Sequence, residues 1–183
     1  MKVAVCDYRA GNVRSVAVAL RRLGADVEVT RSAEAVADAD LAVLPGVGSA
    51  RAAMAALRES GLDEALRARV ARGAPTLGIC LGLQLALEES EEDGGVPGLG
   101  LVPGRAVRLR GERVPRLGWA DVEPLGDAFY FAHSYAAETP AATATSEGIV
   151  AELRAGSFLG VQFHPEKSGP AGARYLERCL SPA

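Results

Sequence analysis

Apolar positions in the first half of the chain fall into short unbroken runs, separated by stretches spaced like one face of a helix. Residues 3–7 form the first run. After Gly11 and Asn12 comes a stripe through Val13, Val16, Ala17, Leu20 and Leu23, which Gly24 ends. Residues 27–30, 41–44 and 75–79 repeat the short run, and helical patterns cover 50–57 and 62–70. A strand that is apolar throughout must be covered on both faces. Such strands joined by helices therefore predict a parallel sheet between two helical layers.

The pattern changes in the second half. Residues 102–109, 128–133, 141–145, 149–153 and 158–163 read as strands joined by short Gly- and Pro-containing turns. A last helix over roughly 171–180 would put Tyr175, Leu176, Cys179 and Leu180 on one face. Residues 88–95, Glu-Glu-Ser-Glu-Glu-Asp-Gly-Gly, read as a solvated charged loop. No repeat or linker interrupts the chain, so residues 1–183 predict one domain, α/β with a mixed, mostly parallel central sheet and helices on both faces. Function in such a sheet belongs at the carboxyl ends of the parallel strands.

Composition removes several classes. A net charge of −3 offers no basic footprint for nucleic acid. No run approaches the roughly 18 apolar residues that span a bilayer, and residues 1–8 are too short an apolar stretch for a signal peptide. The three cysteines, Cys6, Cys80 and Cys179, are odd in number and widely spaced, which argues against a disulfide framework. These features predict a cytoplasmic protein without membrane or nucleic-acid partners.

The strongest chemical signal is Gly78-Ile79-Cys80-Leu81-Gly82, where a strand meets a helix. A sharp strand-to-helix turn needs small neighbours, and Gly stands two residues to either side of the cysteine. This is a nucleophile elbow with Cys in the Ser position, its sulfur at a helix N-terminus where the thiolate is favoured. Cys6 and Cys179 have no such setting and read as structural.

A thiolate nucleophile needs a base, and the chain has only two histidines, His133 and His164. His164 ends an apolar strand in Gln162-Phe163-His164-Pro165-Glu166, and Glu166 can return to the same side to orient the ring. His133, in Ala132-His133-Ser134-Tyr135, has no acid nearby and reads as structural. Pro45-Gly46-Val47-Gly48 follows the strand at 41–44. Its glycines let backbone N–H groups turn toward an oxyanion, with the Leu81 N–H as a second donor. The same freedom predicts a switch, in which a resting carbonyl faces the oxyanion position until the Val47 N–H replaces it.

Gly78-Ile79-Cys80-Leu81-Gly82-Leu83-Gln84 and Phe163-His164-Pro165-Glu166 resemble the class I (triad) glutamine amidotransferases. Pro45-Gly46-Val47-Gly48-Ser49, Phe129-Tyr130-Phe131-Ala132-His133-Ser134-Tyr135, Gly160 to Ser168, Val114 to Trp119 and Asp7 to Asn12 are similar to one branch of that family. That branch is the glutaminase subunits of imidazole glycerol phosphate synthases. The likeness runs from near residue 3 to near residue 180, and Arg9, Arg116 and Ala120 depart from it.

The resemblance implies a flavodoxin-like three-layer sandwich and hydrolysis of glutamine by Cys80, His164 and Glu166. It implies an oxyanion hole at Val47, Gly48 and Leu81, and glutamine contacts from Gly46, Gln84, Glu92, Ser134 and Tyr135. It further implies a (β/α)8-barrel cyclase partner in a heterodimer, contacted through Asn12, Trp119, Tyr130 and Lys167. No metal, organic cofactor or ATP is implied. Glutaminase subunits of other ammonia-using synthases are the near alternative. The vitamin B6 branch would carry Gly-Gly-Glu-Ser, and the anthranilate branch Pro-Gly-Pro-Gly, in place of residues 45–48. A cysteine hydrolase on the same fold would leave Gln84 and the His-Pro-Glu match unexplained, and a non-catalytic module would not need the whole triad.

Overall fold

The computed structural model describes residues 1–9, 12–111 and 114–181. The first half alternates as expected: β1 (Lys2–Cys6), α1 (Val13–Arg22), β2 (Asp26–Thr30), α2 (Ala33–Asp38), β3 (Leu41–Leu44), α3 (Ala50–Ser60), α4 (Leu62–Ala71), β4 (Thr76–Ile79) and α5 (Leu81–Ala86). Gly11, expected just ahead of α1, lies outside the described residues. The second half holds β5 (Glu89–Ser90), β6 (Val96–Pro97), β7 (Arg105–Arg108), β8 (Arg116–Val122), β9 (Asp127–His133), β10 (Tyr135–Glu138), β11 (Ala142–Ser146), β12 (Ile149–Ala155) and β13 (Phe158–Val161), then α6 (Gly169–Leu180).

Seven strands form the main sheet in the order β11-β12-β13-β4-β3-β1-β2. β13, β4, β3, β1 and β2 run parallel, while β12 and β11 are antiparallel additions at one edge. The sheet is thus mixed and mostly parallel, as the sequence predicts. Because side chains alternate along a strand, each central strand feeds two cores. Val3, Val5 and Val43 pack with Val16 and Leu20 of α1 and with Tyr175 and Leu176 of α6. Ala4, Cys6, Ala42 and Leu44 pack instead with Met54 and Leu57 of α3 and with Leu62 and Leu66 of α4.

Two elements carry no clear pattern in the sequence, and one expectation needed revision. Helix α2 carries only one buried residue, Val36, so no apolar stripe announces it; Ser32 caps it by accepting the Ala35 N–H at 3.1 Å. Strand β8 pairs antiparallel with β9 in a separate ribbon, and one of its faces is open, leaving Leu117 and Trp119 exposed. The charged stretch 88–95 contains β5 and a 3-10 turn over Glu92–Gly94, with the Glu92 carboxylate turned inward to accept the Ala50 N–H at 2.9 Å. Five glutamates and aspartates in close succession look solvated, but one of them satisfies the open N-terminus of α3.

Arg69, on α4, is fully buried and has no carboxylate partner among the described residues. Its guanidinium donates to the carbonyl oxygens of Val36 (2.7 Å), Ala37 (2.8 Å), Ala39 (2.8 Å) and Pro75 (2.8 Å). One cation thus satisfies the carbonyls around the end of α2 and the chain entering β4. Replacing Arg69 by Met would keep the volume but strand those acceptors, costing about 3 kcal/mol of stability. Urea unfolding of Arg69→Met should therefore show a lower midpoint with an unchanged slope, and an unshifted midpoint would contradict this role.

Candidate active site

Cys80 stands between β4 and α5 with φ 53° and ψ −104°, a conformation that side-chain-bearing residues rarely hold. The surroundings enforce it. The Cys80 N–H donates to the Val161 carbonyl at 2.7 Å, tying the turn to β13. A methyl group at position 78 would strike Phe158 and the Gly82 backbone, and one at 82 would run into the Leu44 carbonyl. The two glycines expected of an elbow are therefore required by close packing of strand, turn and helix. The sulfur is nearly buried, 3.8 Å from the Ala132 carbonyl, and the Gln162 amide donates to it at 3.5 Å.

His164 follows β13, and its backbone N–H donates to the Tyr130 carbonyl at 2.8 Å. Pro165 opens a one-turn 3-10 segment, Pro165–Lys167, that folds Glu166 back over the ring. Nδ1 of His164 then donates to Glu166 Oε1 at 2.8 Å, with both side chains buried. Burial by itself would lower the proton affinity of His164. Hydrogen bonding and charge from Cys80 and Glu166 outweigh it and raise the pKa to about 9. The imidazole thus carries a proton at neutral pH, and among the described residues its Nε2 finds no hydrogen-bond partner of ordinary geometry. Sulfur, imidazole and carboxylate stand where a nucleophile, an acid–base and an orienting group would be needed.

The loop from Pro45 to Ser49 lies against this turn. The buried Tyr8 hydroxyl donates to the Pro45 carbonyl, and burial lifts its pKa well above the usual range, so it remains a donor. The Gly46 carbonyl accepts the Leu81 N–H at 3.4 Å. In this structure, then, a carbonyl occupies the donor expected to serve an oxyanion. Val47 and Gly48 are exposed, Gly48 has φ 113°, and Ser49 caps α3 by accepting the Ala52 N–H at 3.3 Å. A cleft of about 420 Å3 opens beside the loop, lined by Tyr8, Val47, Gly48 and residues of α3.

Of the expected glutamine contacts, Gln84 is buried on α5 and donates to the Tyr135 carbonyl at 2.7 Å and to Gln162 at 3.1 Å. Ser134 links β9 to β10, and Tyr135 opens β10 close by. Glu92 sits at the N-terminus of α3 beside the loop, where Asp93 also accepts from the Ser49 hydroxyl at 2.5 Å. Burial lifts the Glu92 carboxyl above its ordinary range, partly offset by the Ala50 N–H. His133 donates from Nδ1 to the Tyr135 carbonyl at 2.9 Å; burial, helped by Arg116 and His164, lowers its pKa to about 4. It is a neutral brace and holds no proton for catalysis near neutral pH.

Two contacts near the chemistry escaped the sequence reading. Gln162 is fully buried and links Cys80 to Gln84; a long amide in an otherwise apolar strand is the signal that could have found it. Asn12, expected at a partner surface, donates its amide to Glu166 Oε1. The other expected interface residues lie on one open side. Trp119 is 58% exposed and meets Tyr130 edge-on, with ring centroids 6.2 Å apart, and Lys167 is exposed.

Residues 4–182 match the family model for glutamine amidotransferase class-I. Among curated proteins, the chain is 46% identical to the imidazole glycerol phosphate synthase subunit HisH of Thermus thermophilus, over 96% of this chain and 95% of that one. It is 43% identical to the subunit of the same name from Carboxydothermus hydrogenoformans, over 94% and 96%. A crystallised glutamine amidotransferase superposes with a TM-score of 0.81 at 23% identity, covering 96% of each chain.

The three thiols should separate sharply in reactivity. Burial pushes Cys6 and Cys179 each up to about 12, so only Cys80 combines an acid–base neighbour with a place in the elbow. A glutamine-like diazoketone followed by peptide mass spectrometry should label Cys80 alone at neutral pH, and principal labelling of Cys179 would overturn the assignment.

Proposed function

The chain belongs to the class I glutamine amidotransferase family, and on that premise we propose that it is the ammonia-producing subunit of an imidazole glycerol phosphate synthase. The observation that carries the reaction is the strained Cys80 turn set against the buried His164–Glu166 pair. The Cys80 sulfur attacks the side-chain amide carbon of glutamine. A C–S bond forms, the C–N bond breaks, and the nitrogen leaves as ammonia with the proton from His164. His164, now neutral, takes a proton from water as that water attacks the thioester, which releases glutamate and returns the sulfur.

Negative charge builds on the amide oxygen in both steps. The Leu81 N–H and the N–H groups of Val47 and Gly48 are the donors that would meet it. Gly46 O, which accepts the Leu81 N–H at 3.4 Å, must first leave it. This argues for a resting state with an incomplete oxyanion hole, in keeping with the need to avoid wasting glutamine. One such donor is worth about 10²- to 10³-fold in rate. Gly46, Gln84, Glu92, Ser134 and Tyr135 would hold the substrate around the sulfur.

The ammonia passes to a cyclase subunit with a (β/α)8 barrel, which uses it on the phosphoribulosyl-formimino intermediate of histidine biosynthesis. The docking face carries Asn12, Trp119, Tyr130 and Lys167. Trp119 offers the exposed aromatic anchor expected of an interface centre, and behind it the Tyr130 carbonyl holds the His164 backbone at 2.8 Å. Docking there would press directly on the strand that orients the imidazole. The chain works as one domain in the cytoplasm. Among the described residues no helix is long and apolar enough to cross a membrane.

Glutamate release should be slow for the chain alone and rise about 100-fold with the cyclase and its acceptor bound. Cys80→Ser should abolish both rates, and an isolated chain already at full speed would remove the switch. Absence of imidazole glycerol phosphate when chain, cyclase, acceptor and glutamine are combined would refute the pathway assignment.

The pH profile tests the role of His164. Its pKa is raised, so the protonated form needed by the leaving nitrogen persists through neutrality and is lost as pH rises through about 9. Stimulated kcat should fall on that alkaline limb, and a profile flat to pH 10 would contradict His164 as the acid.

A further inference from the structure

Asn12 precedes α1 in a left-handed backbone conformation, φ 76° and ψ −2°. Asn tolerates this conformation better than most residues and is a preferred helix cap, because its side-chain oxygen can accept a free N–H of the first turn. Here it makes no such cap. The amide turns away from its own helix, and Nδ2 donates to Oε1 of Glu166. The side chain best suited to stabilise α1 is committed to the carboxylate beside His164.

Glu166 has few other restraints. Its side chain is completely buried, Oε1 also accepts from His164 Nδ1 at 2.8 Å, and Oε2 has no hydrogen-bond partner among the described residues. Held only by the imidazole, the carboxylate could rotate about its terminal torsion and carry Oε1 off the Nδ1–H axis. A second donor, fixed to a different element, sets the carboxylate plane and hence the aim of the ring toward Cys80. We propose that Asn12 is a positioning residue for Glu166, a fourth member of the Cys80–His164–Glu166 chain that never touches the substrate. The proposal rests on the triad reading above.

The test is a mutant cycle on glutamine hydrolysis, measured with saturating glutamine for the chain alone and for the complex with its cyclase. Asn12→Ala should lower kcat about tenfold in both settings, the effect expected for loss of one hydrogen bond to a charged group, with KM changed by less than about twofold. Asn12→Asp is nearly isosteric but presents an acceptor where Glu166 needs a donor. It should lose at least as much activity while keeping the thermal midpoint, and it decides the matter if the alanine variant folds poorly. Because Asn12 acts through Glu166, the Asn12→Ala/Glu166→Gln double variant should be no slower than Glu166→Gln alone. Wild-type kcat in Asn12→Asp, a fully additive double variant, or a loss confined to the cyclase complex would each overturn the proposal, the last by assigning Asn12 to docking only. A harmless Glu166→Gln would instead refute the triad reading itself.

Discussion

Cys80 can hold its strained backbone only because three segments approach closely enough to leave it no alternative. The Gly82 hydrogen faces the Leu44 carbonyl, Gly78 lies against Phe158 and the Gly82 backbone, and Val161 takes the Cys80 N–H. The contacts come from β3, β4, β13 and α5, so the turn exists only when the parallel part of the sheet is assembled. Two conserved-volume constraints thus meet at one residue: strands 4.8 Å or so apart and a helix pressed onto their ends. The other candidate catalytic groups are set relative to that point.

Around the sulfur, polar groups buried within an apolar sheet form a single connected network. Gln162 joins Cys80 to Gln84, Gln84 joins α5 to the Tyr135 carbonyl, and His133 braces the same carbonyl from the other side. Such networks are costly when incomplete and rigidifying when satisfied. Among the described residues, Nε2 of His133, Nε2 of His164 and Oε2 of Glu166 are buried without a hydrogen-bond partner; the last two belong to the groups proposed to exchange or balance a proton.

The loop from Pro45 to Ser49 behaves differently from this rigid surround. It is pinned at its start by Tyr8 and at its end by the Ser49 cap, while Val47 and Gly48 between them are exposed beside an open cleft. A segment anchored at both ends and free in the middle can reorient a peptide plane without disturbing β3 or α3. Arg116 and Ala120, which depart from the family pattern, lie on β8, the strand that carries the exposed Trp119. Arg116 stacks 4.2 Å from the Phe131 ring centroid and pairs with Glu147 at 2.9 Å, so this departure is absorbed by packing on the chain's own surface.

Local periodicity and motif chemistry determined the parallel layers, the elbow at Cys80 and the candidate His164–Glu166 pair. Runs such as Leu41–Leu44 and the Gly-x-Cys-x-Gly spacing act over a few residues and stay legible in one dimension. Helix α2, ribbon strand β8 and the inward turn of Glu92 were not legible, because each depends on a partner distant in sequence: Arg69 beyond α2, β9 for β8, and Ala50 for Glu92. Tertiary structure alone decided that Gly46 rests on the Leu81 N–H and that Asn12 reaches Glu166. The physical reason is one of range: a propensity is a property of neighbouring residues, whereas a hydrogen bond between side chains 154 positions apart exists only after the sheet has brought their strand ends together.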